Sequence, residues 1–147
     1  MSRPRLILHP SDFSSASRPA FAQAIASAKE HRAPLLVVHV LAPVILTGDY
    51  IAADVYEGVM RSARDHAERQ LDALVARAKK AGVRATGLLL EGVSAEQIVR
   101  AARGRHAGMI VMGTHGRTGL ARLFLGSVAE RVIGNAPCPV LTVRARK

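Results

Sequence analysis

The chain carries one cysteine, Cys138, in 147 residues. No internal disulfide framework is available, and such a composition fits a reducing compartment, so the cytoplasm is the expected location. Tryptophan is absent, and two tyrosines and three phenylalanines are the whole aromatic content. They are too few, and not interleaved with the basic residues, for the stacking platforms that single-stranded nucleic acid needs. No apolar run approaches the ~20 residues of a membrane span. The apolar segment within MSRPRLILHP is shorter than a signal peptide requires. The phosphate-binding patterns GxxxxGK[ST] and GxGxxG are both missing. So are a Ser-His-Asp spacing, a Cys/His cluster and a defensible carboxylate pair, so no catalytic residue and no protein-held metal is expected. Without internal repeat, low-complexity tract or linker, residues 1–147 read as a single domain.

What is present suffices for a sizeable core, since 49% of the residues are hydrophobic. The net charge of +10 is unevenly placed. Residues 1–60 hold five Lys+Arg and five Asp+Glu, so the whole excess lies in residues 61–147. That balance suits acidic partners such as nucleotide phosphates or nucleic acid. Most of it has a plainer reading as solvated helix faces.

Short apolar runs alternate with helical periodicity along the chain. Leu6, Ile7 and Leu8 read as a central strand ended by Pro10. In the turn His9-Pro10-Ser11-Asp12-Phe13-Ser14, Asp12 is either a turn former or a ligand contact at the strand's carboxyl end. His9 and His39 read as structural sheet histidines. A helix over 18–30 opens at Ser17 and Pro19 and carries the stripe Phe21, Ala24, Ile25, Ala28. LLVVHVL at 35–41 is a second buried strand. Periodicity fails over 42–54, a loop containing Tyr50 that could flank a site. The longest helix carries Val55, Val59, Ala63, Ala67, Leu71, Leu74, Val75 and Ala78 on one stripe and closes at Gly82. A strand over 83–90 reads as lying nearer a sheet edge. A helix with a capping box at Ser94 and Gln97 follows, packing Ile98, Val99, Ala101 and Ala102 inward. The last short strand, 140–143, suits an edge because prolines 137 and 139 precede it and basic residues follow it. Cys138 reads as a small buried hydrophobe beside it.

The stretch MIVMGTHGRTGLARLFLGSVAERVI, residues 109–133, combines these signals. A buried strand ends at Met112 and Gly113. A loop with Gly116, Gly119, Arg117 and Arg122 follows. Gly126 then precedes a helix over Ser127, Val128, Val132 and Ile133, with Ser127 and Glu130 as a capping box. Bare glycine amides, a helix N-terminus and fixed cations together favour phosphate. For Gly116 and Gly126 the alternative is a turn that needs φ > 0.

The spacing Gly113-x2-Gly116-x9-Gly126-Ser127 resembles the ATP-binding pattern of the universal stress protein family, with every position filled. The segment Pro10-Ser11-Asp12 and the ending APCPVLTV are also similar to that family. The resemblance spans nearly the whole chain. It implies a single-domain α/β fold, a five-stranded parallel sheet of order 3-2-1-4-5 with helices on both faces. This is the adenine nucleotide alpha hydrolase-like, Rossmann-like arrangement. It implies that Pro10, Asp12 and Val40, the last through its backbone, surround adenine and the sugar. Gly113 lets sugar and α-phosphate approach. Gly116, Gly126 and Ser127 hydrogen-bond phosphate oxygens, Arg117 supplies charge, and His115 contacts a phosphate or points to solvent. Ser11, Met112 and Val128 complete the implied contacts. The implied ligand is ATP with Mg2+ or Mn2+ on its phosphates, and the implied partner is a twin chain paired through the last strand. Membrane and sequence-specific nucleic acid are not expected partners. Three alternatives stand beside this: a slow ATPase or nucleotidyl transferase using Asp12 or His115, a basic nucleic-acid binder, and a family member that works through protein contacts alone.

Overall fold

Five apolar runs form one parallel sheet in a computed structural model of the protein, which describes residues 3–43, 52–115 and 125–145. The strands are β1 (Ile7–Pro10), β2 (Leu35–Leu41), β3 (Ala85–Glu91), β4 (Met109–Gly113) and β5 (Val140–Val143). The helices are α1 (Arg18–His31), α2 (Ala53–Lys80), α3 (Ser94–Gly104) and α4 (Ser127–Asn135). The sheet order is β3-β2-β1-β4-β5. All four ladders are parallel, and the β1–β2 register places Ile7 opposite Leu35 and Pro10 opposite Val38.

Side-chain alternation along these strands builds two cores. Ile7, Leu35, Val37 and Val111 face one side, where Phe21, Ala24 and Ala28 of α1 and Leu71 and Ala78 of α2 cover them. Leu8, Leu36, Val38, Ile110 and Met112 face the other side, against Ile98, Val99 and Ala102 of α3 and Val132 of α4. Because both faces are covered, the central strands read as continuous apolar runs, without the polar alternation of a half-exposed sheet. Pro19 sits in the first turn of α1, where its missing N–H costs nothing. Gly82, at φ +93, carries the left-handed turn that closes α2, its N–H bonding Lys79 O at 2.9 Å.

As expected, β1 ends at Pro10, which pairs with Val38 of β2, and the ladder to β4 stops at Leu8. Two local expectations are corrected. The apolar stripe of α2 is buried at Ala67, Leu71 and Ala78, but Val55 and Val59 are exposed. Length explains this: 28 helical residues extend about 42 Å, whereas the seven-residue strands beneath extend about 23 Å. The first turns of α2 therefore overhang the sheet. Second, neither predicted capping box forms. Val93 and Gly126 are the N-caps, and Ser94 and Ser127 sit one position inside their helices without a side-chain cap bond. For α4 the reason is a contact twelve residues back: Gly126 N–H is held by Thr114 O at 2.7 Å, which makes Gly126 the cap and Ser127 the first helical residue. Tyr50, most of the 42–54 loop, and Gly116, Arg117, Gly119 and Arg122 lie outside the described residues.

Candidate functional site at the switch of the sheet

Strand order reverses direction at β1, so the crossovers leave β1 toward β2 on one side and arrive at β4 on the other. Such a point leaves a crevice beyond the strands' carboxyl ends. Here the ladder shows how the crevice opens. Ile7 N–H bonds Pro34 O and Ser11 N–H bonds Val38 O, so the odd residues of β1 address β2 and the even ones address β4. The β1–β4 register ends at Leu8 opposite Ile110. The next link would run from the N–H of residue 10 to Val111 O, but Pro10 has no N–H. The imidazole of His9 takes its place, with Nδ1–H donating to Val111 O at 2.8 Å. His9 is fully buried, and burial lowers its pKa from 6.5 to about 4, against the raising effects of that hydrogen bond and of Asp12. The ring is therefore neutral at pH 7 and acts as a sheet clamp, with Nε2 buried and without a partner.

The same alternation exposes the main chain of Val40. Val38 O accepts Ser11 N–H, so the even residues of β2 address β1. Because β1 ends opposite Val38, the N–H and C=O of Val40 point into the gap, and among the described residues nothing bonds them. One donor and one acceptor on a sheet edge thus face a cavity of about 610 Å3.

Pro10, Ser11, Asp12, Val40, Met112, Gly113, His115, Gly126, Ser127 and Val128 all line that cavity. Each has a distinct local setting. Ser11 is buried; its Oγ accepts Phe13 N–H at 3.1 Å, and its carbonyl accepts Nδ1–H of His39 at 2.7 Å. Asp12 acts as a turn former while also facing the cavity: its Oδ1 accepts Ser14 N–H at 2.9 Å and the Ser14 hydroxyl at 2.5 Å. That turn holds Phe13 at φ +64, a left-handed conformation that bulky residues avoid. The Phe13 ring stacks on His39 with centroids 4.1 Å apart. His115 places Nδ1 2.9 Å from the Thr114 hydroxyl, and its Nε2 is buried with no partner among the described residues, so the ring does not point to solvent.

The two glycines of the spacing that lie among the described residues, Gly113 and Gly126, differ in kind. A Cβ on Gly113 would meet His115 O at 3.6 Å and Ala16 O at 3.8 Å, ordinary contacts. A Cβ on Gly126 would stand 2.8 Å from Thr114 O, closer than the chain allows. Neither glycine has a positive φ, so the turn requirement considered for Gly126 does not apply. Gly126 is small because the backbone of Thr114 crosses it; the fold places no such demand on Gly113. The first amides of α4 lack any side-chain cap, leaving a helix N-terminus open on the cavity beside Ser127.

The opposite wall comes from α2, through Ala63, His66, Ala67 and Gln70, none of which the sequence reading marked as site residues. Their signal is the pair of alanines in the middle of an apolar stripe, where a packed helix would carry larger side chains. No Lys or Arg is among the described residues lining the cavity, and Arg100, Arg103 and Arg105 are exposed elsewhere. Cys138 is half-buried, and burial pushes its thiol up, away from reactive thiolate.

With this geometry in place, comparison with known proteins is direct. The model of the universal stress protein family matches residues 4–144. A universal stress protein of Thermus aquaticus is 41% identical over 141 residues, covering 95% of this chain and 98% of that one. The chain belongs to the universal stress protein family. A solved structure from this family, from Burkholderia pseudomallei, is 32% identical and superposes with a TM-score of 0.78 over 99% of each chain. A universal stress protein solved in complex with cAMP is 25% identical, with a TM-score of 0.66 over 99% of this chain and 100% of that one. The sheet order observed here is the one that the family resemblance implied.

Proposed function

We propose that this universal stress protein is a regulatory module that binds ATP in the cavity beyond β1 and β4. The observation that carries the reading is the pairing of two complementary ends in one cavity. At one end the Val40 N–H and C=O present a donor and an acceptor, which match N1 and the amino group of adenine. At the other end the uncapped N-terminus of α4 presents amides and Ser127 to phosphate. Gly113 lies between them with no fold requirement for its missing side chain, which suits close passage of the sugar and α-phosphate. Pro10, Ser11 and Asp12 close the β1 side, Met112 and Val128 supply apolar contact, and His115 offers Nε2. The family spacing would add Gly116 and Arg117 to the phosphate contacts. A relative solved with cAMP supports an adenine nucleotide as the ligand class.

Among the described residues no group of three His, Cys, Asp or Glu side chains is placed to hold a metal. Mg2+ or Mn2+ would accordingly enter on the phosphates, whose charge it would neutralise. The Thr114 hydroxyl lies 2.9 Å from His115 Nδ1, but among the described residues no third group orients that ring through Nε2, so retention of ATP is favoured over its cleavage. We further propose that the protein is cytoplasmic and dimeric, β5 pairing with its twin. β5 is an edge strand with Leu141 exposed. Calorimetric titration with ATP, cAMP, AMP and GTP, with and without Mg2+, tests the reading. Saturable ATP binding is expected, and its absence at millimolar ligand contradicts the proposal.

A further inference from the structure

The α2 wall of the cavity holds polar groups that the binding of phosphates and of one base edge leaves unused. Side-chain alternation on β2 divides the cavity: Val40 packs with the α3/α4 core, whereas His39 faces the α1/α2 side. Phosphate belongs at the N-terminus of α4, on the β4 side. β2 lies two strands away, about 10 Å at the usual strand spacing, so the base end of a bound nucleotide falls beneath α2. There Ala63 and Ala67 leave room that larger residues of an apolar stripe would fill, and Gln70 stands one turn below them. Gln70 is half-buried, lines the cavity, and has no hydrogen bond to any described residue. The other polar side chains on this side are committed or differently placed. Ser17 bonds Ser14 O, His39 bonds Ser11 O, and His66 is exposed at the mouth.

We propose that Gln70 reads the base: its amide pairs with the amino group and N7 of adenine and thereby selects adenine over guanine. This inference rests on the nucleotide reading above. With N1 and one amino hydrogen taken by the Val40 main chain, adenine keeps one donor, the second amino hydrogen, beside one acceptor, N7. A carboxamide carries the matching acceptor and donor in one plane. Glutamine pairs with that edge of adenine in duplex recognition for the same reason. Guanine presents two acceptors there, O6 and N7, so the Gln70 oxygen would face a lone pair and the buried mismatch would count against it.

Calorimetry with ATP, 7-deaza-ATP and GTP on the wild type, Gln70→Leu and Gln70→Glu separates this from the wider reading. Leucine and glutamate preserve helix propensity, and thermal melts confirm that each variant is folded. In the wild type, loss of N7 should weaken binding about ten-fold, the scale of one side-chain–base pairing. Gln70→Leu should weaken ATP by a similar factor and bind 7-deaza-ATP no worse than ATP. Gln70→Glu, unable to donate to N7, should weaken ATP at least as much. A 7-deaza penalty that persists in full in Gln70→Leu, or wild-type ATP affinity in that variant, overturns the assignment while leaving ATP binding intact. Failure of the wild type to bind ATP overturns the nucleotide reading and this inference with it.

Discussion

Replacing Gly113 and Gly126 separately by alanine distinguishes a glycine reserved for a ligand from one required by the fold. At Gly126 the new Cβ would stand 2.8 Å from Thr114 O, and the 2.7 Å hydrogen bond from Gly126 N–H to that oxygen holds the two backbones together. Relieving the overlap means displacing the start of α4, and overpacking of this kind costs about 1–3 kcal/mol. At Gly113 the nearest atoms lie at 3.6 and 3.8 Å, and φ is not positive. Alanine should fit there and, by restricting the unfolded chain, change stability by about 0.4–1 kcal/mol in the favourable direction. The effect on ligand runs the other way. The added methyl stands on the cavity wall where sugar and α-phosphate are proposed to pass, so Gly113→Ala should lose ATP affinity at least ten-fold in a fully folded protein. Denaturant unfolding gives the first quantity and titration calorimetry the second. A Gly113→Ala protein destabilised by more than 1 kcal/mol, or one binding ATP like the wild type, would refute the reasoning.

Two further outcomes follow from the structure. His9 is held neutral with a pKa of about 4 against 6.5 when exposed, so the unfolded chain binds the extra proton between those values and stability falls as pH drops from about 6.5 to 4. At 1.36 kcal/mol per unit the full loss is about 3 kcal/mol. Chemical denaturation across that range should show it, and His9→Gln, which keeps a donor for Val111 O, should flatten the slope; an unchanged slope would count against His9 as its source. Leu141 is exposed on the edge strand β5, so Leu141→Lys should give a monomer by light scattering if β5 pairs with its twin. A dimer that survives the substitution would place the contact elsewhere.

Much of the fold was legible because it rests on local patterns. LLVVHVL became β2 with its predicted bounds, and 140–143 became β5, since a parallel sheet covered on both faces leaves uninterrupted apolar runs. What the pattern could not show depends on contacts distant in sequence. The ladder from β1 to β4 stops at Leu8, and a side chain, His9 Nδ1–H, holds Val111 O about a hundred residues away. Ser127 looked like a cap, but Thr114 fixes the preceding glycine and shifts the cap by one position. The stripe of α2 was read as buried along its length, and only the extent of β2 and β3 reveals that its start overhangs. At the site, the described residues drawn from strand ends and the glycine spacing line one cavity, whereas Gln70 and the α2 wall carry no motif. A helix stripe looks alike in sequence whether it packs on a sheet or borders a void.

Amide chemical shifts recorded during an ATP titration test the central claim most directly, because they locate the ligand as well as detect it. Saturable shifts concentrated at Val40, Gly113, Ser127 and Val128, and persisting at about 0.3 M salt where exposed charges are largely screened, are the predicted result. Shifts spread over the exposed Arg100, Arg103 and Arg105 that vanish with salt would show that ATP meets only the basic surface, and would contradict the account.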